Sequence, residues 1–329
     1  MTVISDVFRQ DDTFRAWEDH LAEIGPPEEE VSLATNEELV QQLRYLEIPE
    51  EDIPDVVRLA PSLETDAELW WFLERTVHSL GLTMGKVEGP PRFGTLQDIN
   101  DPKYRFFYVH VFVAAMSQVQ RYFQARGIPE HIVQATLADL GRNVRVHRKR
   151  EGVGGLGVAW WLMLHFRGMI YQFGRLQFER ASLGHRGAEA AADMGVQARP
   201  DDRVLSIHIP DFLGPMSPDA CDASIQTAHE FFPKYFPEEP VLAGVCSSWL
   251  LDPQLKNYLR SDSNIIQFQE RFILTSETYN VNNSIVQFVF GPNVDQLDHL
   301  SPRSTLERAV VSHIQKGKDW QGRFGWFRW

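Results

Sequence analysis

The sequence contains little cysteine and no long apolar run. Two cysteines in 329 residues, Cys221 and Cys246, are too few and too far apart for a disulfide scaffold. A reducing cytoplasm is therefore the expected location. The longest apolar runs have about 11 residues, short of the roughly 18 that a membrane span needs, so no membrane association is expected. The N-terminal segment has neither the basic start nor the apolar core of a secretory signal.

The sequence also lacks an excess of basic charge. Its formal net charge is −13, and residues 1–75 carry 20 acidic against five basic residues, so the remainder is nearly neutral. A nucleic-acid-binding protein needs a large basic face, and no nucleic-acid partner is expected. The acidic segment is interpreted as a solvated helical surface or as a docking face for a basic partner.

Hydrophobic periodicity predicts an α+β protein with two domains, a helical domain over residues 1–150 and a mixed α/β domain over 151–329. The clearest helix is Thr65–Leu80, in which Leu69, Phe72 and Leu73 begin an i, i+3, i+4 stripe. Further helices are expected over 36–46, 102–126 and 129–146.

The pattern of apolar residues in the second half of the chain predicts the order β, β, α, β, α, β, β. This order gives a central β-α-β unit and an antiparallel closing pair. A polar insert, residues 182–202, reads as a loop or a frayed helix, and a short helix is expected near 253–259. The strands are predicted at Tyr171–Arg180, Arg203–Pro210, Leu242–Trp249, Ile265–Leu274 and Ile285–Phe290, and the main helix at Pro218–Phe236.

A basic run followed by glycines stands out at the predicted domain boundary. Five Lys or Arg residues and His147 lie within Arg142–Arg150, and Gly152, Gly154 and Gly157 then match G-x-G-x-x-G. A dinucleotide fingerprint requires a preceding buried strand, whereas a charged helix precedes this one. An interdomain linker, a phosphate contact and neutralisation of the acidic domain remain the alternatives.

His208 is the first candidate for chemistry. It shares one face of its strand with Ser206 and lies at the carboxyl end, where open α/β sheets commonly bind ligands. A histidine there would serve as a general base or as a structural residue. Ser248 and Asp252 would pair with it across adjacent strands, although no G-x-S-x-G elbow supports a hydrolase triad. Cys246, on an apolar strand, is interpreted as a packing residue.

Polar side chains alternate along two predicted strands and would form a solvated face or line a cleft. They are Arg175, Gln177 and Glu179 on one strand, and Gln267, Gln269 and Arg271 on the other. No histidine or cysteine spacing supports a metal site.

Five segments of the chain carry a family resemblance: residues 160–180, 205–210, 217–237, 246–255 and 262–272. They resemble bacterial two-domain GNAT-like acyltransferases, in which a helical N-acyltransferase N-terminal domain precedes a GNAT-like domain. The resemblance extends from about residue 36 to about residue 314.

The resemblance implies that the central strand supplies a base and that the fourth helix of such domains supplies an acid. By position these would be His208 and Tyr258, with Glu179 and Ser248 as further catalytic candidates. Residues expected to bind substrate or donor are Arg175, Gln177, Gly214, Ser217, Trp249, Asp252, Gln267 and Gln269. The sequence departs from the family's glycine-rich phosphate loop, because residues 211–218 contain one glycine and two prolines, which lack amide donors.

The implied function is acyl transfer from a thioester, either acyl-CoA or an acyl-carrier protein, to an amine or hydroxyl of a small molecule, with no tightly bound cofactor. A carrier protein and a second copy of the chain are the macromolecular partners considered. The alternative is a GNAT-shaped ligand- or protein-binding module without catalysis. We further expect the site to be an interdomain cleft, lined by Arg175, Gln177 and His208 and covered by helices of residues 102–146.

Overall fold

A computed structural model describes Phe8 and residues 11–94, 96, 101–193, 195–290 and 302–329, without the side chains of residues 186 and 193. The chain divides into two compact units, Met1–Tyr171 and Gln172–Trp329. This division lies after the expected one at residue 150, because the helix that follows the glycines packs on the helices before it. No helix among the described residues is long and apolar enough to cross a membrane.

The first unit is helical, as predicted. Its helices are α1 (Asp12–Ile24), α2 (Asn36–Tyr45), α3 (Ile53–Arg58), α4 (Ala67–Leu82), α5 (Pro102–Ala114), α6 (Met116–Ala125), α7 (Glu130–Leu137), α8 (Asp139–Glu151) and α9 (Ala159–Phe166). The predicted stripe of α4 is buried, including Leu69, Phe72 and Leu73. Residues 102–126 and 129–146, each expected to form one helix, are broken at Ala115 and Ala138. Helix α5 is buried on nearly every side, so its apolar residues have no helical periodicity from which the break at Ala115 could be predicted.

The basic run forms the end of α8 and pairs with acidic residues of the same unit. Arg148 forms an ion pair with buried Asp52 and lies 3.3 Å from Glu51, and Arg142 lies 3.6 Å from Glu47. Neutralisation of the acidic segment is therefore one role of this run.

The glycines after α8 have structural reasons of their own. Gly152 ends the helix in the left-handed region at φ 76°, a conformation that glycine adopts at little cost. Gly154 lies so close to Asp52 and Phe106 that a side chain there would meet both. The G-x-G-x-x-G match thus reflects a helix end and close packing.

The second unit is built on a six-stranded mixed sheet with the order β1-β2-β3-β4-β6-β5. β2 and β3 are antiparallel, with Gln177 opposite His208, and β3 and β4 are parallel. β6 pairs antiparallel with both β4 and β5. The strands are β1 (Ile170–Phe173), β2 (Leu176–Ser182), β3 (Arg203–His208), β4 (Val241–Ser248), β5 (Ile273–Asn280) and β6 (Gln321–Arg328).

The helices of this unit include one at each position where the sequence predicted a helix. They are α10 (Gly184–Asp193), α11 (Pro218–Tyr235), α12 (Asn264–Gln269), α13 (Asn282–Phe290) and α14 (Thr305–Gln315), with 3₁₀ segments at Trp249–Leu251 and Pro253–Asn257. Helix α11 connects the parallel strands β3 and β4, which confirms the central β-α-β unit.

Three predicted strands were wrong in their details. Residues 171–180 form two strands, because Gly174 turns the chain at φ 54°. Residues 264–269 form α12 because the Ser263 hydroxyl accepts the Ile266 amide and caps a helix. Gln267 and Gln269 are therefore on a helix. Residues 285–290 belong to α13, and the closing antiparallel pair is β5 with β6, a strand that the sequence reading missed.

Candidate active site

One face of the sheet carries a row of polar side chains. Alternate residues of a strand share a face, and an apolar cluster fixes which face this is. The cluster joins Ala181, Val204, Ala243, Val245 and Trp326. Further along the strands, on the same face, come polar groups. We name them the polar row: Glu179 on β2, His208 on β3, Ser247 on β4 and Tyr279 on β5.

His208 and Glu179 form the centre of this row. The Nε2 atom of His208 lies 2.8 Å from Glu179 Oε2, and about a quarter of each side chain is exposed, 28% and 22% respectively. A carboxylate only accepts hydrogen bonds, so Nε2 carries the hydrogen and Nδ1 carries the lone pair of the neutral ring. Gln177, 2% exposed, is the Cα partner of His208 in the antiparallel ladder. Three predicted site residues thus lie together.

The sheet opens beside His208. The ladder between the parallel strands β3 and β4 ends at Ser206 and Val245, although β3 continues to His208 and β4 to Ser248. Strands that leave their ladder present backbone donors and acceptors to a ligand. The histidine–carboxylate pair therefore lies next to backbone that can bind an extended molecule.

The row continues with two residues that the sequence analysis did not single out. Ser247 Oγ and the Tyr279 hydroxyl are 3.0 Å apart. The Tyr279 ring lies directly over Gly322 of β6, the strand between β4 and β5. It is so close that a Cβ at position 322 would overlap the ring. The sequence analysis left Tyr279 between its last two predicted strands, Ile265–Leu274 and Ile285–Phe290.

A second group of predicted residues meets at the start of α11. Arg175, 8% exposed, donates from Nε to the Gly214 carbonyl at 2.9 Å and from its backbone amide to Ser224 Oγ at 3.0 Å. Its Nη1 is buried without a hydrogen-bond partner among the described residues. Burial lowers the pKa of Arg175, while Cys221 and Asp211 nearby act to raise it.

The N-terminus of α11 adds positive potential to this group. Ser217 caps the helix by accepting the Ala220 amide, and Arg271 donates from Nη2 to the Pro218 carbonyl at 3.2 Å and to Asp222 at 2.7 Å. Helix α11 has 18 residues. Its N-terminus, with the guanidinium groups of Arg175 and Arg271 beside it, favours the binding of an anion.

The predicted cluster around β4 forms a turn in which hydrogen bonds hold the chain. Ser248 accepts the Leu250 amide at 3.1 Å and caps the 3₁₀ segment that begins at Trp249. Asp252 accepts the amides of Gln254 and Gln321, and Gln269 donates to the Leu250 and Asp252 carbonyls. The expected pairing of Ser248 and Asp252 with His208 is not among these bonds. Gln267 is half-buried on α12.

Tyr258 lies in a different environment from His208. It packs in a cluster formed by the 3₁₀ segments and the C-terminal helices, with Leu255 and Trp320. Its hydroxyl lies 2.9 Å from Nδ1 of His313, whose Nε2 faces the Asp319 carbonyl at 3.3 Å. Since a carbonyl only accepts, Nε2 of the neutral ring carries the hydrogen, and Tyr258 donates to Nδ1.

Neither cysteine has the properties of a nucleophile. Both are free and buried. Burial raises the pKa of Cys246 to about 12, and burial likewise raises the pKa of Cys221. The reactive form of a cysteine is the thiolate, which both sites disfavour. Among the described residues there is also no group of three or more side chains that would hold a metal ion.

Two family models identify the class to which this fold belongs. Residues 37–168 match the family model described as N-acyltransferase N-terminal domain, and residues 170–327 match the one described as GNAT-like C-terminal domain. The chain belongs to the two-domain GNAT-like acyltransferases, as the resemblance of its segments implied.

Solved structures support this membership along nearly the whole chain. An acyltransferase in complex with decanoyl-CoA is 37% identical, with a TM-score of 0.88, covering 99% of this chain and 98% of that one. An acyltransferase in complex with decanoyl-CoA and teicoplanin is 38% identical with the same TM-score and coverage, and another with CoA and 10C-teicoplanin is 37% identical. Among the curated proteins, none matches this sequence.

Proposed function

We propose that this protein transfers an acyl group from acyl-CoA to an amine or hydroxyl of a small-molecule acceptor. The observation that carries this proposal is the His208–Glu179 pair beside the open ends of β3 and β4. Acyl-CoA is the proposed donor, in preference to an acyl-carrier protein, because the similar acyltransferases hold CoA or acyl-CoA. Two free thiols are consistent with a reducing cytoplasm as the site of action.

In the proposed reaction, His208 acts as general base through Nδ1. The acceptor amine attacks the thioester carbonyl and passes its proton to the imidazole, and a tetrahedral intermediate forms. Glu179 holds the ring in one tautomer and stabilises the imidazolium that develops, as a carboxylate does beside a catalytic histidine. The intermediate then releases the CoA thiolate and leaves an amide, or an ester when the acceptor is a hydroxyl.

Tyr258 is the proposed acid for the departing sulfur. Its hydroxyl would turn its one proton from His313 to the thiolate, which leaves a tyrosinate. The proton taken by His208 would then pass through solvent to the tyrosinate, so that both residues return to their starting states. The bond from Tyr258 to His313 fixes the position of the hydroxyl. A Tyr258→Phe variant tests this role, because it removes the proton and retains the ring.

The donor's phosphates would lie at the start of α11. Arg175 has an unused buried N–H there, and the helix N-terminus and Arg271 add positive potential. Pro215 and Pro218 reduce the number of amide donors, so guanidinium groups would replace part of the usual loop. Gly214, at φ 75°, lets the chain turn before the helix.

The test is thiol release from a panel of acyl-CoA thioesters with amine and alcohol acceptors. Wild-type protein should release thiol and form the acylated product, and His208→Ala should reduce kcat by about 10²- to 10⁴-fold, the usual contribution of a general base. Ser206→Ala, on the same strand and face, is the matched control. Turnover by His208→Ala at the wild-type rate would overturn the mechanism, and the absence of turnover with every pair would overturn the function.

A binding module without catalysis is the second candidate, and the proline-containing loop before α11 favours it. Thermal shift separates the two, since a ligand at 100 times its Kd stabilises a protein by about 2.7 kcal/mol. Stabilisation by CoA together with thiol release supports the enzyme. Stabilisation without thiol release, at any pairing of donor and acceptor, supports the module.

A further inference from the structure

The exposed tyrosine of the polar row is unusual in being both accessible and held in place. Tyr279 is 49% exposed, although large aromatic side chains are generally buried to a greater extent. Its hydroxyl is anchored to Ser247, and its ring crosses β6 above Gly322. An exposed tyrosine without such contacts would sample several rotamers, so these two contacts fix the direction in which the ring faces.

The glycine under the ring is essential to this arrangement. Tyr279 and Gly322 are direct Cα partners in the antiparallel ladder of β5 and β6. Any side chain at position 322 would meet the ring, since a Cβ built there comes within 2.7 Å of three ring carbons. One face of the ring is thus covered by backbone, and the exposed area of the side chain belongs to the rest of the ring.

The location of the ring relates it to the proposed reaction. The ring extends from β5 over β6, so its hydroxyl arrives at β4, the strand next to the one that carries His208. Ser247, His208 and Tyr279 share one face, and β4 has already left its ladder with β3 at this level. A molecule held on the ring would therefore lie two strands away from the proposed base, with the tyrosine hydroxyl between them.

We propose that Tyr279 is a specificity-determining residue that binds a ring of the acyl acceptor, an inference that rests on the proposed function. The open face of a fixed aromatic ring recognises a second aromatic ring or the apolar C–H face of a sugar ring. Ser247 and Gly322 are positioning residues, which act through Tyr279. The acceptor is thus an amine or alcohol that carries a ring.

The experiment measures KM and kcat with decanoyl-CoA and four acceptors: teicoplanin, glucosamine, benzylamine and the linear n-hexylamine. Wild-type protein should prefer the ring-bearing acceptors. Tyr279→Ala should lower kcat/KM for them by about 2- to 10-fold through a higher acceptor KM, as expected for one aromatic contact. The KM for decanoyl-CoA and the rate with n-hexylamine should not change.

Tyr279→Phe keeps the ring and should retain most of the preference for ring-bearing acceptors. Glucosamine and benzylamine distinguish a sugar from an aromatic ring.

Gly322→Ala provides a second variant that retains the tyrosine. It should displace the ring and reproduce the effect of Tyr279→Ala, and it should have no further effect when both substitutions are combined. Phe288→Ala, which removes another exposed aromatic side chain, is the control. An equal loss of kcat/KM with all four acceptors would overturn the role of Tyr279 but not the proposed function. Wild-type kinetics in both single variants would have the same meaning. Failure of wild-type protein to acylate any acceptor would overturn the proposed function as well.

Discussion

Both units contain charged groups that are paired within the fold, such as Arg180 and Glu239 in the sheet unit. The sheet unit also has groups that remain in contact with solvent or have bonding capacity left. In the helical unit, Asp52 is paired with Arg148, and Asp66 with Lys103 at 2.5 Å. In the sheet unit, the His208–Glu179 pair is about a quarter exposed, and Arg175 has an Nη1 without a partner among the described residues. A group whose hydrogen bonds are satisfied within the fold stabilises that fold, whereas a group with bonding capacity left can bind a ligand.

This difference separates two kinds of mutational effect. Substitutions of the paired charges in the helical unit should lower the free energy of unfolding and leave the chemistry unchanged in the protein that remains folded. Substitutions of His208 and Glu179 should lower activity with every acceptor and leave the melting temperature nearly unchanged. The predictions below test the separation, beginning with the largest effect.

Glu179→Gln and His208→Ala should have graded effects on activity. His208→Ala removes the base, with the loss of about 10²- to 10⁴-fold given above, whereas Glu179→Gln keeps the hydrogen bond and removes only the charge that stabilises the imidazolium. We therefore expect Glu179→Gln to have an intermediate kcat. Both variants should melt within a few degrees of wild type, as measured by calorimetry. A large drop in melting temperature for Glu179→Gln would place this pair with the stabilising charges of the helical unit.

Removal of Arg148 should have the opposite effect. Asp52 is 1% exposed, and removing the partner of a buried charge typically costs about 3–5 kcal/mol. Arg148→Ala should therefore lower the free energy of unfolding by an amount near this range, measured by urea denaturation. Arg145→Ala, which removes an exposed arginine one turn earlier, is the control and should change stability by less than about 0.5 kcal/mol. Equal stability of the two variants would contradict a structural role for the pair.

The stability of the helical unit should also depend on pH through His110. This side chain is fully buried and donates to the Val56 carbonyl, and burial lowers its pKa to about 4 from 6.5. The unfolded state then binds the proton more tightly than the folded state. The stability associated with the neutral ring is complete above pH 6.5 and decreases as the pH falls from 6.5 to 4, by at most about 3 kcal/mol. His110→Gln can still donate but cannot titrate.

The measurement for His110 is urea denaturation from pH 7.5 to pH 4. The wild-type protein should lose more stability over this interval than His110→Gln, so the difference between the two curves should change with pH in that direction. Parallel curves would mean that the ring binds its proton equally well in the folded and unfolded states, and His110 would then not be a buried group that disfavours its charged form.

Local signals determined how much of this structure the sequence could predict. The stripe of α4, the helix α11 and the strand ending at His208 follow from periodicity within a single element, and they were predicted. The capping bond of Ser263 overrides an alternating pattern, so α12 was read as a strand. β6 has alternating aromatic residues between glycines, a signal that was available and not used.

The site was predictable where it depends on one strand and not where it depends on several. His208 and Glu179 were candidates because each lies on the polar side of its own strand. Tyr279 could not be identified, since its position depends on Gly322 and Ser247, which are far away in sequence and meet it only through the order of strands in the sheet. Partners that depend on strand order cannot be read from local periodicity.

The smallest predicted effect concerns Ser248, a polar residue of the sheet unit that resembles those of the helical unit. Its hydroxyl accepts the Leu250 amide and caps the 3₁₀ segment, so its bonding capacity is used within the fold. Ser248→Ala should cost about 1 kcal/mol of unfolding free energy, as for other caps, and should leave kcat unchanged. Ser248→Asp, which can accept the same bond, should restore most of the stability. A fall in kcat at an unchanged melting temperature would instead make Ser248 part of the reaction. In that case, a hydrogen bond satisfied within the fold would not be a valid criterion for separating stabilising groups from functional ones.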